Sequence, residues 1–151
     1  MNNPKIFAVN RKARYEFDIL DTVEAGISLL GSEIKAIRQG HSNITEAYAK
    51  HSEGELWLIN CHIAPYSTGA IQSHDPTRPR KLLLHKSQII AWSNQITGKR
   101  LTIIPLKLYL SHHLAKVKLG LARGRRTHDK RKVIIDRLRE REASQAINRR
   151  R

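Results

Sequence analysis

The chain has 151 residues, 28 Lys and Arg against 13 Asp and Glu, a net charge of +15 and a pI near 10.5. That length suits one ordinary domain plus an extension, and no apolar run approaches the roughly 18 residues that a membrane span needs. The charge is uneven: residues 116–151 hold 14 Lys/Arg and 4 Asp/Glu, a net of +10, which leaves +5 for residues 1–115, and such a basic, asymmetric chain is suited to phosphate partners.

The start, Met1 to Val9, lacks the basic-then-apolar layout of a signal peptide. Cys61 is the sole cysteine, so no intrachain disulfide can form and a cytoplasmic home is expected. Ile6 to Asn10 is short and apolar and gives way to a basic stretch, Arg11 to Arg14. Tyr15 to Ile19 alternates apolar and polar at period two, as a half-buried strand does; Asp21-Thr22 reads as a break. Val23 to Leu29 alternates again, with Gly26 marking a bulge or a close backbone approach. Between Gly31 and Gly40, Ile34 and Ile37 lie three apart, which fits a strand or a helical turn. Ser42 to Ala47 reads as one capped helical turn. Tyr48 to Ile59 reads as a hairpin turning at Glu53-Gly54. Pro65 ends the strand of Ile63, and Ser67 to Arg80 is a long surface loop.

Ser87 is placed to cap a helix over Gln88 to Gln95, with Ile89, Trp92 and Ile96 at helical spacing and Gly98 closing it. Leu101 to Leu110 and Leu114 to Leu121 form two strands joined at Ser111-His112-His113; Ala115, Val117, Leu119 and Leu121 face one way, Lys116 and Lys118 the other. Many short strands broken by glycine turns predict a small β-barrel with one helix of note. Beyond Lys132, Val133, Ile134, Leu138 and Ile147 form a thin apolar stripe, so a basic tail is expected that is disordered alone and helical on a partner.

The candidate chemistry points to binding rather than catalysis. The eight histidines, at 41, 51, 62, 74, 85, 112, 113 and 128, have no metal-ligand spacing, so neither a metal nor a cofactor is expected. His74-Asp75 resembles a nuclease base but lacks an acidic cluster for Mg²⁺. Adjacent Cys61 and His62 would point to opposite faces of a strand, so Cys61 reads as a core thiol. Aromatic residues are 5% of the chain, too few for a base-stacking platform; Trp57, Trp92 and Tyr109 read as core, while Tyr15, Tyr48 and Tyr66 remain open. What remains is a basic surface reading RNA shape and phosphates. The densest stretch, Ala122 to Arg131, has five Lys or Arg in ten residues, with Gly124 for backbone freedom. In it Asp129 can pair with Lys132 or orient His128.

Several ordered blocks carry a resemblance: Asn10-Arg-Lys-Ala-Arg14, Glu24-Ala-Gly26, Gly31-Ser-Glu-Ile-Lys35, Arg38-Gln-Gly40, Asp75-Pro-Thr-Arg78, Arg80-Lys-Leu-Leu-Leu84, Pro105-Leu-Lys-Leu-Tyr109, Lys116-Val-Lys118, and Ala122-Arg-Gly124 through Asp129-Lys-Arg131. From about residue 6 to 132 the chain resembles the SmpB, or SsrA-binding protein, family of bacteria. The resemblance implies a mainly β fold, a small OB-like antiparallel barrel over 1–121 with a few short helices, and a basic tail over 122–151. It implies binding to the tRNA-like domain of tmRNA and delivery to stalled ribosomes for trans-translation. There the protein would stand in for an anticodon arm, with its tail in the empty mRNA path.

Asn10, Glu24, Leu83 and Lys116 match family positions that contact tmRNA, and Tyr48 completes the motif begun by Asn43-Ile44. Lys12, Arg14, Lys35, Arg38, Lys81, Lys118 and Arg123 join them as candidate RNA contacts. Gly124, Arg125, Arg126, His128, Asp129, Lys130 and Arg131 match the segment that works in the decoding site. Glu24 can accept from a base edge or form an ion pair with a neighbouring cation; both are open. Leu83 can face a base or the core. No small-molecule substrate is expected. The alternatives are a basic ribosome-associated structural protein and, third, a nuclease.

Overall fold

The computed structural model describes residues 5–66, 74–125 and 127–149; for 127–130 and 149 the description is of backbone alone. Nine strands and four helices follow in the order β1 (Lys5–Val9), α1 (Ala13–Glu16), β2 (Phe17–Ile27), α2 (Gly31–Arg38), β3 (Ser42–Asn43), β4 (Tyr48–Ser52), β5 (Glu55–Ile59), β6 (His62–Ile63), β7 (Arg80–Leu83), α3 (Lys86–Ile96), β8 (Leu101–Ser111), β9 (Leu114–Gly124) and α4 (Thr127–Arg149), counted among the described residues. The main sheet runs β1-β8-β4-β5-β7-β2-β9, all antiparallel, and β9 pairs back onto β8. Six strands therefore close into a ring, with β1 as a flap on β8. Closure removes the free edges that would otherwise template aggregation.

Inside the ring lie Leu56, Leu58, Leu82, Ile103, Leu108, Val117, Leu119 and Leu121, each at most 1% exposed. Each such side chain contributes roughly 1.5–3 kcal/mol of burial. Cys61 joins this core, and burial pushes its thiol up to about 11. Iodoacetamide at about pH 8 should therefore leave the native chain unlabelled and label it once in urea, read by mass; labelling of the native chain would place the thiol outside the core. A second cluster of Ala13, Ile104 and Ala122, packed by Phe17, Ile19 and Leu106, covers the outer side of β8 and β9. This explains why β8 is buried on both faces.

The structure departs from the sequence reading at several elements. Asp21-Thr22 is no break: β2 runs through it, and one extra residue, Leu20, is absorbed as a bulge between Ile19 and Asp21. Trp92 donates to Asp21 Oδ2 at 3.3 Å and so ties α3 to that bulge. Ser42 to Ala47 is not helical: Ser42 and Asn43 pair with Ile63 and His62, and Asn43 Oδ1 accepts from the Thr45 amide at 2.8 Å to form a capped turn. The N-cap of α3 is His85 rather than Ser87, because Gln88 reaches back to accept the His85 amide at 3.2 Å. Trp57 is half-buried on the outer side of β5, since its neighbours Leu56 and Leu58 hold the inner side. The open choice at 31–38 resolves as helix α2. The expected turn at Glu53-Gly54 forms with φ of 52° and 79°, the pair of positive values that a tight hairpin needs.

β9 continues to Gly124, three residues past the expected 121/122 division, because Arg123 pairs with both Asp18 and Leu101 and Gly124 with Phe17. Residues 127–149 form helix α4, whose Arg, Glu, Ala and Lys residues are strong helix formers. No helix among the described residues is long and apolar enough to cross a membrane.

Candidate nucleic-acid interface

Glu24, Lys81, Leu83, Lys116 and Lys118 lie on three adjacent strands, β7-β2-β9, beside β8. The register aligns Leu83, Gly26, Lys116 and Tyr109 in one row across them. The next row along β2 sets Glu24 beside Lys118, and Lys118 beside Lys107. Gly26 provides the floor. A Cβ there would come within 3.1 Å of the Leu83 Cβ, so the close approach expected at this glycine is present, and the lack of a side chain opens a groove between Leu83 and Lys116.

That groove has a volume of about 860 Å³ and is lined by Glu24, Lys81, Leu83 and Lys116 among others. Leu83 is 51% exposed, so the core reading of this residue gives way to an apolar surface. Glu24 makes the ion pair that was one of its two readings: Lys116 Nζ lies 3.5 Å from Oε1, while the Tyr109 hydroxyl donates to Oε2. Burial, and then the hydrogen bond to Glu24, push the Tyr109 phenol well above its ordinary pKa, so it stays a donor. Lys81 pairs with Glu55 at 2.8 Å. With Glu53 and Lys86 also on its walls, this groove is close to charge-balanced and offers donors, acceptors and the exposed side chain of Leu83.

A second groove, about 350 Å³, is of opposite character. Arg11, Arg14, Lys107, Lys118 and Arg137 line it with Asn10 and Tyr15, and among the described residues no Asp or Glu does. Asn10 is 6% exposed and clamped to the bulge at Leu106: its side-chain amide donates to the Pro105 carbonyl at 3.0 Å and its backbone amide to the Leu106 carbonyl at 2.9 Å. Its Oδ1 is buried without a partner among the described residues. Tyr48 is exposed and shares a third cavity with Asn10.

Other candidates lie apart from these two grooves. Lys12 is exposed, and its carbonyl accepts from the Tyr15 and Glu16 amides to start α1. Lys35 and Arg38 are exposed on α2, with the Lys35 ammonium 5.6 Å from the Tyr66 ring centre. Arg123, Gly124 and Arg125 line a cavity with Asp18, Lys132, Val133 and Asp136. Arg125 also anchors the end of the sheet: its amide donates to the Glu16 carbonyl at 2.8 Å and its Nε to the Phe17 carbonyl at 3.1 Å. Arg126 lies outside the described residues, as do the side chains of His128, Asp129 and Lys130, and with them the expected pairing of Asp129. Arg131 is exposed on α4.

Behind the interface is a buried polar network that the sequence reading missed. Glu33 on α2 is fully buried and takes the Arg80 Nε on one oxygen, and the Arg78 Nη2 at 2.6 Å and the Leu30 amide at 2.8 Å on the other. Arg80 is fully buried too and donates to the Cys61 carbonyl at 2.6 Å and the Pro76 carbonyl at 3.2 Å. Burial alone would raise the Glu33 pKa, but the hydrogen bonds from Arg78, Leu30 and Arg80 outweigh it and hold the carboxyl below its ordinary range. His74, the imagined nuclease base, is buried: its Nδ1 lies 2.9 Å from the Ser32 hydroxyl and its Nε2 2.9 Å from the Ile63 carbonyl. Both ring nitrogens are occupied in holding the loop to α2 and β6. No cluster of three or more His, Cys, Asp or Glu gathers as a metal site among the described residues.

A family model described as SmpB protein matches residues 7–149. The chain belongs to the SmpB family. The SsrA-binding protein of Staphylococcus haemolyticus is 48% identical over 145 residues, 96% of this chain and 93% of that one. That of Streptococcus suis is 47% identical over 142 residues, 94% and 92% of the two chains. A solved SmpB-family structure described as "tmRNA-SmpB: a journey to the center of the bacterial ribosome" is similar at a TM-score of 0.67 and 44% identity, covering 83% of this chain and 92% of that one. The mainly β, OB-like fold is thus the fold of the SmpB family.

Proposed function

We propose that this chain binds the tRNA-like domain of tmRNA and delivers it to stalled ribosomes for trans-translation, as a cytoplasmic protein with no catalysis of its own. The observation that carries the reading is the convergence of Glu24, Leu83 and Lys116 in one groove, next to Asn10, Arg14 and Lys118 in another, on a chain whose relatives are SsrA-binding proteins. The charge-balanced groove suits base edges and riboses; the all-cationic groove suits phosphates. The ring of strands and its RNA would together imitate a tRNA, with the protein in place of the anticodon arm. Helix α4 and the Arg125-to-Arg131 segment would enter the empty mRNA path, where the tail, marginal by itself, is held as a helix.

Phosphate contacts release counterions, so the affinity for a tmRNA fragment should fall steeply with salt, on the order of a thousandfold between about 50 and 200 mM. Filter binding across a salt series measures this. A flat response would overturn the reading.

A further inference from the structure

The cationic groove joins the barrel to the tail. Four of its cations, Arg11, Arg14, Lys107 and Lys118, come from the barrel; the fifth, Arg137, comes from α4 and lies 4.4 Å from the Tyr15 ring centre. Among the described side chains of α4 only Val133 and Arg137, one turn apart, are half-buried; the others are exposed. The helix therefore rests on the barrel by a single turn. None of the five cations has an ion pair among the described residues. Lys107 and Lys118 stand directly opposite each other across β8 and β9, an arrangement that like charges disfavour. Lys118 also faces Glu24 across β2, but that carboxylate is held by Lys116 and Tyr109.

Two forces on Arg137 thus oppose each other. The Tyr15 ring attracts it, and that attraction is weak where solvent reaches the pair. The four barrel cations repel it. An anion in the groove reverses the second force, because it then attracts the barrel cations and Arg137 alike. We propose that one backbone phosphate of bound RNA is held jointly by Arg14 and Lys118 of the barrel and Arg137 of the tail, so that RNA binding docks helix α4. The proposal rests on the RNA-binding reading given above. Coupling is reciprocal: a docked tail raises the groove's affinity for the phosphate by the factor by which the phosphate favours docking. The tail would then leave the barrel in a direction set by the RNA.

Hydrogen exchange of the amides of 131–148 in the full chain tests this, with and without saturating tRNA-like-domain fragment, while mobility shift in the same samples confirms binding. In the unaltered chain, RNA should slow these amides by about tenfold, a coupling of ordinary size. In Arg137→Ala and in Lys118→Gln, at RNA concentrations that saturate each variant, the slowing should disappear. Exchange that is unchanged or faster when RNA is bound to the unaltered chain overturns the proposal, as does slowing that survives in Arg137→Ala. Equal slowing by inorganic phosphate at the same concentration would overturn the assignment to RNA. Failure of the RNA fragment to bind the unaltered chain would instead overturn the functional reading, and this proposal with it.

Discussion

Glu33→Gln should lower the unfolding free energy by about 3–5 kcal/mol, read as a fall in the urea midpoint. That is a large share of the roughly 5–15 kcal/mol available to a domain. The change keeps the shape of the side chain and removes its charge, so Arg80, with no exposed surface, loses its only anionic partner among the described residues. Restoring an apolar core by changing Arg80 as well should recover only part of the loss. Arg80 also satisfies the Cys61 and Pro76 carbonyls, and removing it orphans both. The pH dependence gives a second check. The folded Glu33 carboxyl is held below its ordinary pKa, so its contribution is complete above the unfolded value and is lost as pH falls through that value toward the lowered folded one. The unaltered chain should lose stability over that acid range, and Glu33→Gln should lose less there. Equal slopes would mean that the carboxylate is not the group that stabilises the network.

The ring of strands was legible because it is local chemistry repeated. The Glu53-Gly54 turn, the alternation in β2 and β9 and the helical spacing of Ile89, Trp92 and Ile96 each follow from a few neighbouring residues. The misreading in β2 comes from a single residue that changes the pattern's phase. Leu20 and Leu106 are bulges, and a bulge is invisible to a period-two template because it shifts the register without altering the residue types. Asp21-Thr22 therefore read as a break, although β2 runs through it.

The buried network was illegible for a different reason. Glu33, Arg78 and Arg80 stand 45 and 47 residues apart, and charged residues are almost never fully buried, so each reads as surface until the fold brings them together. The site lies between these cases. Alternation alone put Lys116 and Lys118 on one outer face, but Glu24 beside Lys118 and the Tyr109 hydroxyl on Glu24 depend on which strands are neighbours. Arg137 in the cationic groove depends on tertiary placement of a helix that carries almost no apolar stripe, and no spacing in the sequence signals it.

Removing residues 126–151 should separate RNA binding from ribosome rescue. The cut belongs after Arg125, since Gly124 still pairs with Phe17 and Arg125 still holds the Glu16 and Phe17 carbonyls; an earlier cut would damage the sheet. It takes away ten Lys/Arg and four Asp/Glu, so the net charge falls from +15 to +9. Among the described residues, the balanced groove loses none of its lining and the cationic groove loses only Arg137. One lost phosphate contact changes the salt slope by about one unit or less, so tmRNA affinity should stay within about tenfold of the full chain. Tagging of nascent chains on a message without a stop codon should fall to background, because the Arg126-to-Arg131 cations proposed for the decoding site are gone. Alanine at His128, Asp129, Lys130 and Arg131 together, in the full-length chain, should lower tagging in the same direction while leaving both grooves intact. If the truncated chain lost RNA affinity and tagging in parallel, the tail would be part of the RNA site rather than an arm held for the ribosome; if it kept tagging, the tail would have no part in rescue.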